Sequence, residues 1–288
     1  MYNFVKGVKD LELNWFQSVL YGLLSGLMDI LPVSAQAHRA LLLKFYGIKG
    51  NGDFLNLLIH LGILCALYWN SQSQLIRMSR ARALARVPKR KRKRPLDTKS
   101  LMDLSMLKTM LIPVILGLFL YRFVSDMSGS LMWIALFLFL NGVILYVPQF
   151  LPSSNRDSRT LSRVEGLLMG LGGAASILPG ISAVGVTTSI GSVCGVERSY
   201  SLDMALLMNM ILTIGLAVYD VMGIMANGMD VLSFSIILRY LLTAAAAFGG
   251  AMLGIKFMRH LASNQGFSLF GVYCWGLALF TFILNLIA

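Results

Sequence analysis

Ile30-Leu31-Pro32-Val33-Ser34-Ala35 and Ile177-Leu178-Pro179-Gly180-Ile181-Ser182-Ala183 are two versions of one phrase. Each sits at the end of a long apolar run. Each follows a stretch reading Gly-Leu-Leu-x-Gly-Leu, which starts at Gly22 in one copy and at Gly166 in the other. The spacers between the two parts differ in length. Two Pro- and Ser-bearing breaks in matching places of two hydrophobic halves point to an internally duplicated membrane protein. In such folds broken helices meet near the bilayer midplane and build the binding site.

The composition supports this. Hydrophobic residues make up 57% of the 288 residues and charged ones 13%, against roughly a quarter charged in a soluble domain. Mean hydropathy is +0.71. Runs near the ~20 apolar residues that cross hydrocarbon predict spans at about 54–71, 104–123, 130–150, 200–226, 232–254 and 267–287. The stretches 15–47 and 162–195 carry the breaks and are expected to be re-entrant hairpins. Broken backbone at membrane depth survives only where protein buries it or it lines a wet cavity. The expected fold is an all-α polytopic membrane protein, residues 1–288 forming one domain. It has about six transmembrane helices and two re-entrant hairpins, in halves 1–124 and 130–288 of inverted topology. The first residues lack the apolar core of a leader, so insertion is expected to use internal helices. Cys65, Cys194 and Cys274 lie in apolar segments without a CxxC and read as buried small hydrophobes.

Net charge is +12, unevenly spread. Ten Lys/Arg and no acid lie from Arg77 to Arg94. This reads as a cytoplasmic polybasic loop, 77–97, that sets topology and meets anionic headgroups, rather than as a nucleic-acid site. With that loop inside, the loop holding Arg156, Arg159 and Arg163 also falls inside. The second break then enters from the inside and the first from the outside. Charge alone thus gives an inverted repeat. Arg39, Lys44 and Lys49 fall toward the outer side against the rule, which marks them as candidate phosphate contacts.

Asp29 lies in an apolar stretch, and an intramembrane carboxylate is a functional candidate with a partner to be found. A helix starting near Ser34 would aim free N–H groups at an anion. His38 and Arg39 follow it. Structural readings stand beside each of these: Asp29 as a link between the halves, His38 as an interfacial histidine, Arg39 as a headgroup anchor. Ser182 and Thr187 supply hydroxyls at the second break, and Gly180 permits a tight turn there. Asn209 is a buried polar group in a Met/Leu-rich span, or a plain interhelical hydrogen bond.

Together these residues resemble the undecaprenyl pyrophosphate phosphatase family. That family carries an EGLTEFLPVSSTGH-like first motif and a PGxSRSGxT-like second motif. Ile59-His60-Leu61-Gly62 and the Phe-Gly-Val-Tyr ending at Tyr273 resemble further segments of it. The resemblance implies six spans, two inverted re-entrant hairpins, and removal of the terminal phosphate of undecaprenyl diphosphate in the lipid-carrier cycle of peptidoglycan synthesis, the activity linked to bacitracin resistance. It implies Asp29, His38 and Ser182 as catalytic residues. Taken with the residues read above, the candidate substrate contacts are Ser34, Gln36, Arg39, Gly180, Ser182, Thr187 and Asn209. A Mg or Ca ion at Asp29 follows if the protein is hydrolytic. The expected location is a bacterial-type plasma (inner) membrane, and a homodimer is open.

The departures are systematic. Ser25 stands for the family's first glutamate, Asp29 for its second, and Ala35 for a serine. Ala183 stands for the motif arginine, Val184 for the serine after it, and Cys274 for an arginine. Phosphoryl transfer depends on positioned cations. Arg39 and Arg198 are the candidate replacements. The leading expectation is a scaffold that binds polyprenyl phosphate or diphosphate with weak or lost hydrolysis and a transport or sensing role. The alternatives are an active phosphatase with a rearranged site, and an unrelated small-solute carrier on the same fold.

Overall fold

The computed structural model describes residues 13–48, 52–152, 155–227, 233–264 and 267–287. The first residues, read above for their insertion, lie almost wholly outside them, and so does Lys49. The described chain is all-α, with a lone bridge between Arg156 and Val196. Its helices are α1 (Trp15–Ile30), α2 (Ala35–Phe45), α3 (Asp53–Ala85), α4 (Thr98–Val124), α5 (Leu131–Tyr146), α6 (Arg163–Ala174), α7 (Ala183–Val193), α8 (Arg198–Asn227), α9 (Phe234–Asn264) and α10 (Ser268–Ile287). Among the described residues six helical stretches are long and apolar enough to cross a membrane, matching the six predicted spans: α3, α4, α5, α8, α9 and α10.

Two boundaries differ. The span predicted to end at 254 continues to Asn264. The span predicted to end at 71 continues to Ala85. Residues 72–85, Gln-Ser-Gln-Leu-Ile-Arg-Met-Ser-Arg-Ala-Arg-Ala-Leu-Ala, contain mostly strong helix formers and no Gly or Pro, so nothing stops the helix. The first half of the predicted loop 77–97 is therefore helix. Arg92 then folds back, donating from Nε to the Val87 carbonyl at 2.8 Å and from Nη2 to the Ala85 carbonyl at 3.2 Å. This satisfies acceptors at the helix end.

The helices flanking the breaks are short: 16 and 11 residues for α1 and α2, 12 and 11 for α6 and α7. At 1.5 Å per residue they reach about 16–24 Å, short of a ~30 Å hydrocarbon core. Asn14 and Ser162 cap α1 and α6 with reciprocal boxes, through Gln17 and Glu165. Pro32 and Pro179 follow the helix ends, where a proline cannot continue the ladder. Each pair folds back on itself. Gly172 of α6, for example, sits against Val186, Thr187 and Ile190 of α7.

Glycines report the directions of packing. Gly22, Gly26 and Gly254 bring α1 alongside α9 in register 22–243, 26–247 and 30–254, so the two run parallel. Gly166, Gly170 and Gly117 bring α6 alongside α4 in register 166–109, 170–113 and 174–117, again parallel. Helix α3 is also parallel to α9, with Phe54 on Tyr240 and Gly62 on Ala244. It is antiparallel to α4, whose start lines a pocket with the end of α3. Helices α4 and α9 therefore oppose each other, and so do α1 and α6. The inverted repeat is visible in the packing: each broken hairpin lies against a long helix of the other half. A Cβ on Gly26 would strike the Ala247 carbonyl. Gly26→Val is expected to destabilise by at least the ~1–3 kcal/mol of an overpacked core, read as loss of the monodisperse folded peak after heating in detergent.

Candidate functional site

The two breaks meet and are stitched together. The Gly180 N–H donates to Ser34 Oγ at 3.2 Å, and the Ser182 hydroxyl donates to the Leu31 carbonyl at 3.1 Å. Between them stands Asn141 of α5, fully buried. Its Oδ1 accepts from the Ser182 N–H at 2.9 Å, and its Nδ2 donates to the Pro32 carbonyl at 3.0 Å. Cys274 of α10 closes the group, its Sγ 3.3 Å from Asn141 Nδ2. Proline-ended helices leave carbonyls without intrahelical partners, and buried polar groups must find others. Here each break supplies the other's partners.

Ser34 and Ser182 also cap the helices that follow. Ser34 Oγ accepts from Ala37 N–H at 3.5 Å, and Ser182 Oγ from Gly185 N–H at 3.2 Å. Ser34 does so at a φ of 65°, and Gly180 at 124°. A positive φ on a residue other than glycine persists only where neighbours hold it. The Gly180 bond and the cap are those neighbours.

Beside this seam lies a cavity of ≈ 30 Å³, room for about one water, lined by Asp29, Ser34, Ala35, Gln36, Arg39, Ser176, Ser182, Ala183 and Asn209, with Met28, Ile181, Leu212 and Leu216. The N-termini of α2 and α7 both reach it. The predicted link across the halves exists: Asn209 Nδ2 donates to Asp29 Oδ2 at 2.9 Å. Arg39 makes no hydrogen bond or ion pair with a described residue. Ala35 and Ala183 put methyl groups on the cavity wall where the resemblance expects a hydroxyl and a guanidinium. The buried Ser25 hydroxyl has no hydrogen-bond partner among the described residues, and Val184 packs in the core.

Of the other predicted residues, Gly180 serves the seam rather than the cavity. Thr187 points the other way, donating to the Met169 carbonyl at 3.2 Å. His38 does not line the cavity either. Its Nδ1 donates to the Ser34 carbonyl at 2.8 Å, and its Nε2 lies 2.8 Å from the Tyr273 hydroxyl, so both nitrogens are engaged. Burial favours the neutral imidazole, in which Nε2 accepts from Tyr273. Arg198 is elsewhere, its Nη2 on the Pro148 carbonyl at 3.3 Å. Of the two candidate replacement cations, only Arg39 reaches the cavity. Among the described residues no three His, Cys, Asp or Glu side chains converge as a metal cage. The cysteines part company: Cys274 is buried in the seam, Cys194 is partly covered, and Cys65 is exposed on the outer face of α3.

Sequence reasoning missed Asn141. A single amide in Leu-Phe-Leu-Phe-Leu-Asn-Gly gives no spacing signal, although one amide in an otherwise apolar span is itself a cue for an interhelical partner.

The comparisons agree with this architecture. The family model for "Bacitracin resistance protein BacA" matches residues 18–280. The Methanobrevibacter smithii protein named undecaprenyl-diphosphatase is 29% identical over 272 residues, 93% of this chain and 96% of that one. The Carboxydothermus hydrogenoformans undecaprenyl-diphosphatase is 26% identical, covering 95% and 98%. The Shouchella clausii undecaprenyl-diphosphatase 1 is 23% identical, covering 93% and 95%. With a match that takes in both breaks and all six long helices, this multi-pass membrane chain belongs to the bacitracin resistance protein BacA family.

Proposed function

We propose that the protein binds a polyprenyl phosphate or diphosphate between the two breaks and hydrolyses the diphosphate slowly. The phosphate sits at the N-termini of α2 and α7, beside Arg39, where the cavity opens beyond its one-water volume to admit it. The relatives' names supply the substrate class. The observation that carries the reading is the chemistry of the cavity wall. Two helix N-termini and one uncommitted guanidinium suit a phosphate. Alanines at 35 and 183 leave few groups to stabilise charge that develops during transfer. Losing one preorganised donor costs about 10²–10³ in rate.

The predicted catalytic residues fit binding better than turnover. The Ser182 hydroxyl is committed to Leu31, and His38 is held by Ser34 and Tyr273. Asp29 keeps one carboxylate oxygen beyond its bond to Asn209. It is the residue that would hold a Mg or Ca ion, with lipid phosphate and water completing the shell. Such an ion, when bound, would neutralise charge on the phosphate. Asp29→Asn is expected to abolish any release of phosphate while leaving binding of the monophosphate within about threefold; phosphate release and lipid titration on one preparation check this. The inverted halves joined at a midplane seam favour carriage of the lipid across the bilayer as a second role.

The polybasic end of α3 is placed in the cytoplasm of a plasma membrane under the same proposal. A pocket of ≈ 350 Å³ lies there between α3 and α4, with Arg82 and Arg86 at its rim and Leu75, Met78, Leu104 and Leu107 on its floor. That pairing suits an anionic headgroup and its first methylenes. At about 1 kcal/mol per basic residue, changing Arg82 and Arg86 to alanine should weaken phosphatidylglycerol retention roughly thirtyfold in native mass spectrometry. Unchanged retention would remove this site.

A further inference from the structure

A second polar centre lies outside the cavity. His60 of α3 and Asp220 of α8 pair at 2.6 Å, His60 Nδ1 to Asp220 Oδ2, with side chains 7% and 13% exposed. His60 Nε2 is buried without a hydrogen-bond partner among the described residues. Nothing in the seam or the cavity uses this pair. Intramembrane ionisable groups are expensive and are not retained at random.

The surroundings define what the pair can sense. On α3, Asn56 and Asp53 lie on the same face, one and two turns toward the helix start. Asp53 lies against Gly223 of α8. On α8, Tyr219 donates to the Leu118 carbonyl at 2.7 Å and packs at a tilt against Tyr121 of α4. From α1 the ionisable side chains are Tyr21 and Asp29. The stretch of α9 alongside, 241–255, contains none; Tyr240 lies beyond it against Phe54. Helix α7 contains none. Asp220 and Asn209 share a face of α8 eleven residues apart, about 16 Å along the axis.

We propose that His60 and Asp220 form a proton-binding site whose occupancy controls the cavity's affinity for lipid phosphate. Neutral His60 donates from Nδ1 to Asp220, and the pair carries one negative charge. A proton arriving from the aqueous phase adds to the lone pair of Nε2, and the charge is cancelled. The cavity then meets less opposing field, so an anion binds more tightly. Linkage is reciprocal, so the anion draws the proton in. A unit charge at about 16 Å with an effective dielectric near 20 corresponds to about fivefold in affinity. The inference rests on the proposed phosphate site.

The test uses purified full-length protein in nanodiscs with undecaprenyl phosphate as the probe. Dissociation constants are measured at pH 6 and pH 8 for the wild type, His60→Gln and Asp220→Asn. Calorimetry in two buffers of different ionisation enthalpy counts protons taken up on binding. His38 and the lipid phosphate also titrate, but both remain in every variant, so the difference between proteins is what counts. The wild type should weaken about fivefold more than His60→Gln on going to pH 8, and should take up protons that His60→Gln does not. At pH 8 Asp220→Asn should bind about fivefold more tightly than the wild type, and at pH 6 about equally. Equal pH dependence and equal proton counts in wild type and variants would overturn the inference and leave the phosphate site standing. Absence of saturable binding by the wild type at both pH values would overturn both.

Discussion

Replacing Asn141 with leucine is expected to be the most damaging single change to the fold outside its glycines. The side chain is fully buried and holds both breaks at once, through the Pro32 carbonyl and the Ser182 N–H. Leucine fills the volume but bonds neither. Each orphaned buried group costs about 1–3 kcal/mol, so the loss is roughly 2–6 kcal/mol against a total stability of order 5–15 kcal/mol. Thermal unfolding in detergent should show a large drop in midpoint, with lipid binding lost along with it. Asn141→Asp keeps the acceptor for Ser182 and sets a carboxylate against the Pro32 carbonyl, so it should fail as well. A leucine variant as stable as the wild type would mean that the two breaks are held apart from this seam.

Arg39→Ala should separate binding from folding. The guanidinium makes no hydrogen bond or ion pair with the described protein, so its removal should leave the unfolding midpoint nearly unchanged. A charge-assisted bond to phosphate contributes about 1.5–3 kcal/mol, so affinity for undecaprenyl phosphate should fall about 10–150-fold. Arg39→Lys keeps the charge but not the planar fork, and should recover part of it. Titration of the lipid into each variant reads this directly. Loss of stability without loss of affinity would make Arg39 a membrane anchor instead.

Much of this was legible in the sequence because proline, serine and charge act locally. The two Leu-Pro phrases mark the ends of α1 and α6. Ser34 and Ser182 mark the starts of α2 and α7. The basic runs alone implied inverted halves, and the parallel pairs α1–α9 and α4–α6 realise that inversion. The link from Asp29 to Asn209 was expected only as one of two readings of Asp29. What stayed hidden depends on tertiary contact. Asn141 lies 109 residues from Pro32 and 41 from Ser182, and no spacing rule joins them. His38 follows its break at the expected place, yet the turn of α2 carries its ring to Tyr273 rather than into the cavity. Thr187 is one turn inside α7, where the helix period directs it onto α6 instead. The end of α3 was misjudged because charge was read as loop, although arginine between alanines and leucines is a good helix former. Cys65 was expected inside and lies on the outer face, since an apolar span in a membrane has no obligation to bury its small residues.

The central claim is a phosphate-binding site with little hydrolysis. Its direct measurement is phosphate release from undecaprenyl diphosphate, with Mg or Ca present, beside the Methanobrevibacter smithii relative under identical conditions. Lipid binding is titrated on the same preparations. The account predicts saturable binding that Arg39→Ala weakens, with release at least ~100-fold slower than in the relative, as expected for missing charge-stabilising groups. Release at the relative's rate, abolished by Asp29→Ala, would contradict it and show that the catalytic site has been rebuilt around Asp29 and Arg39.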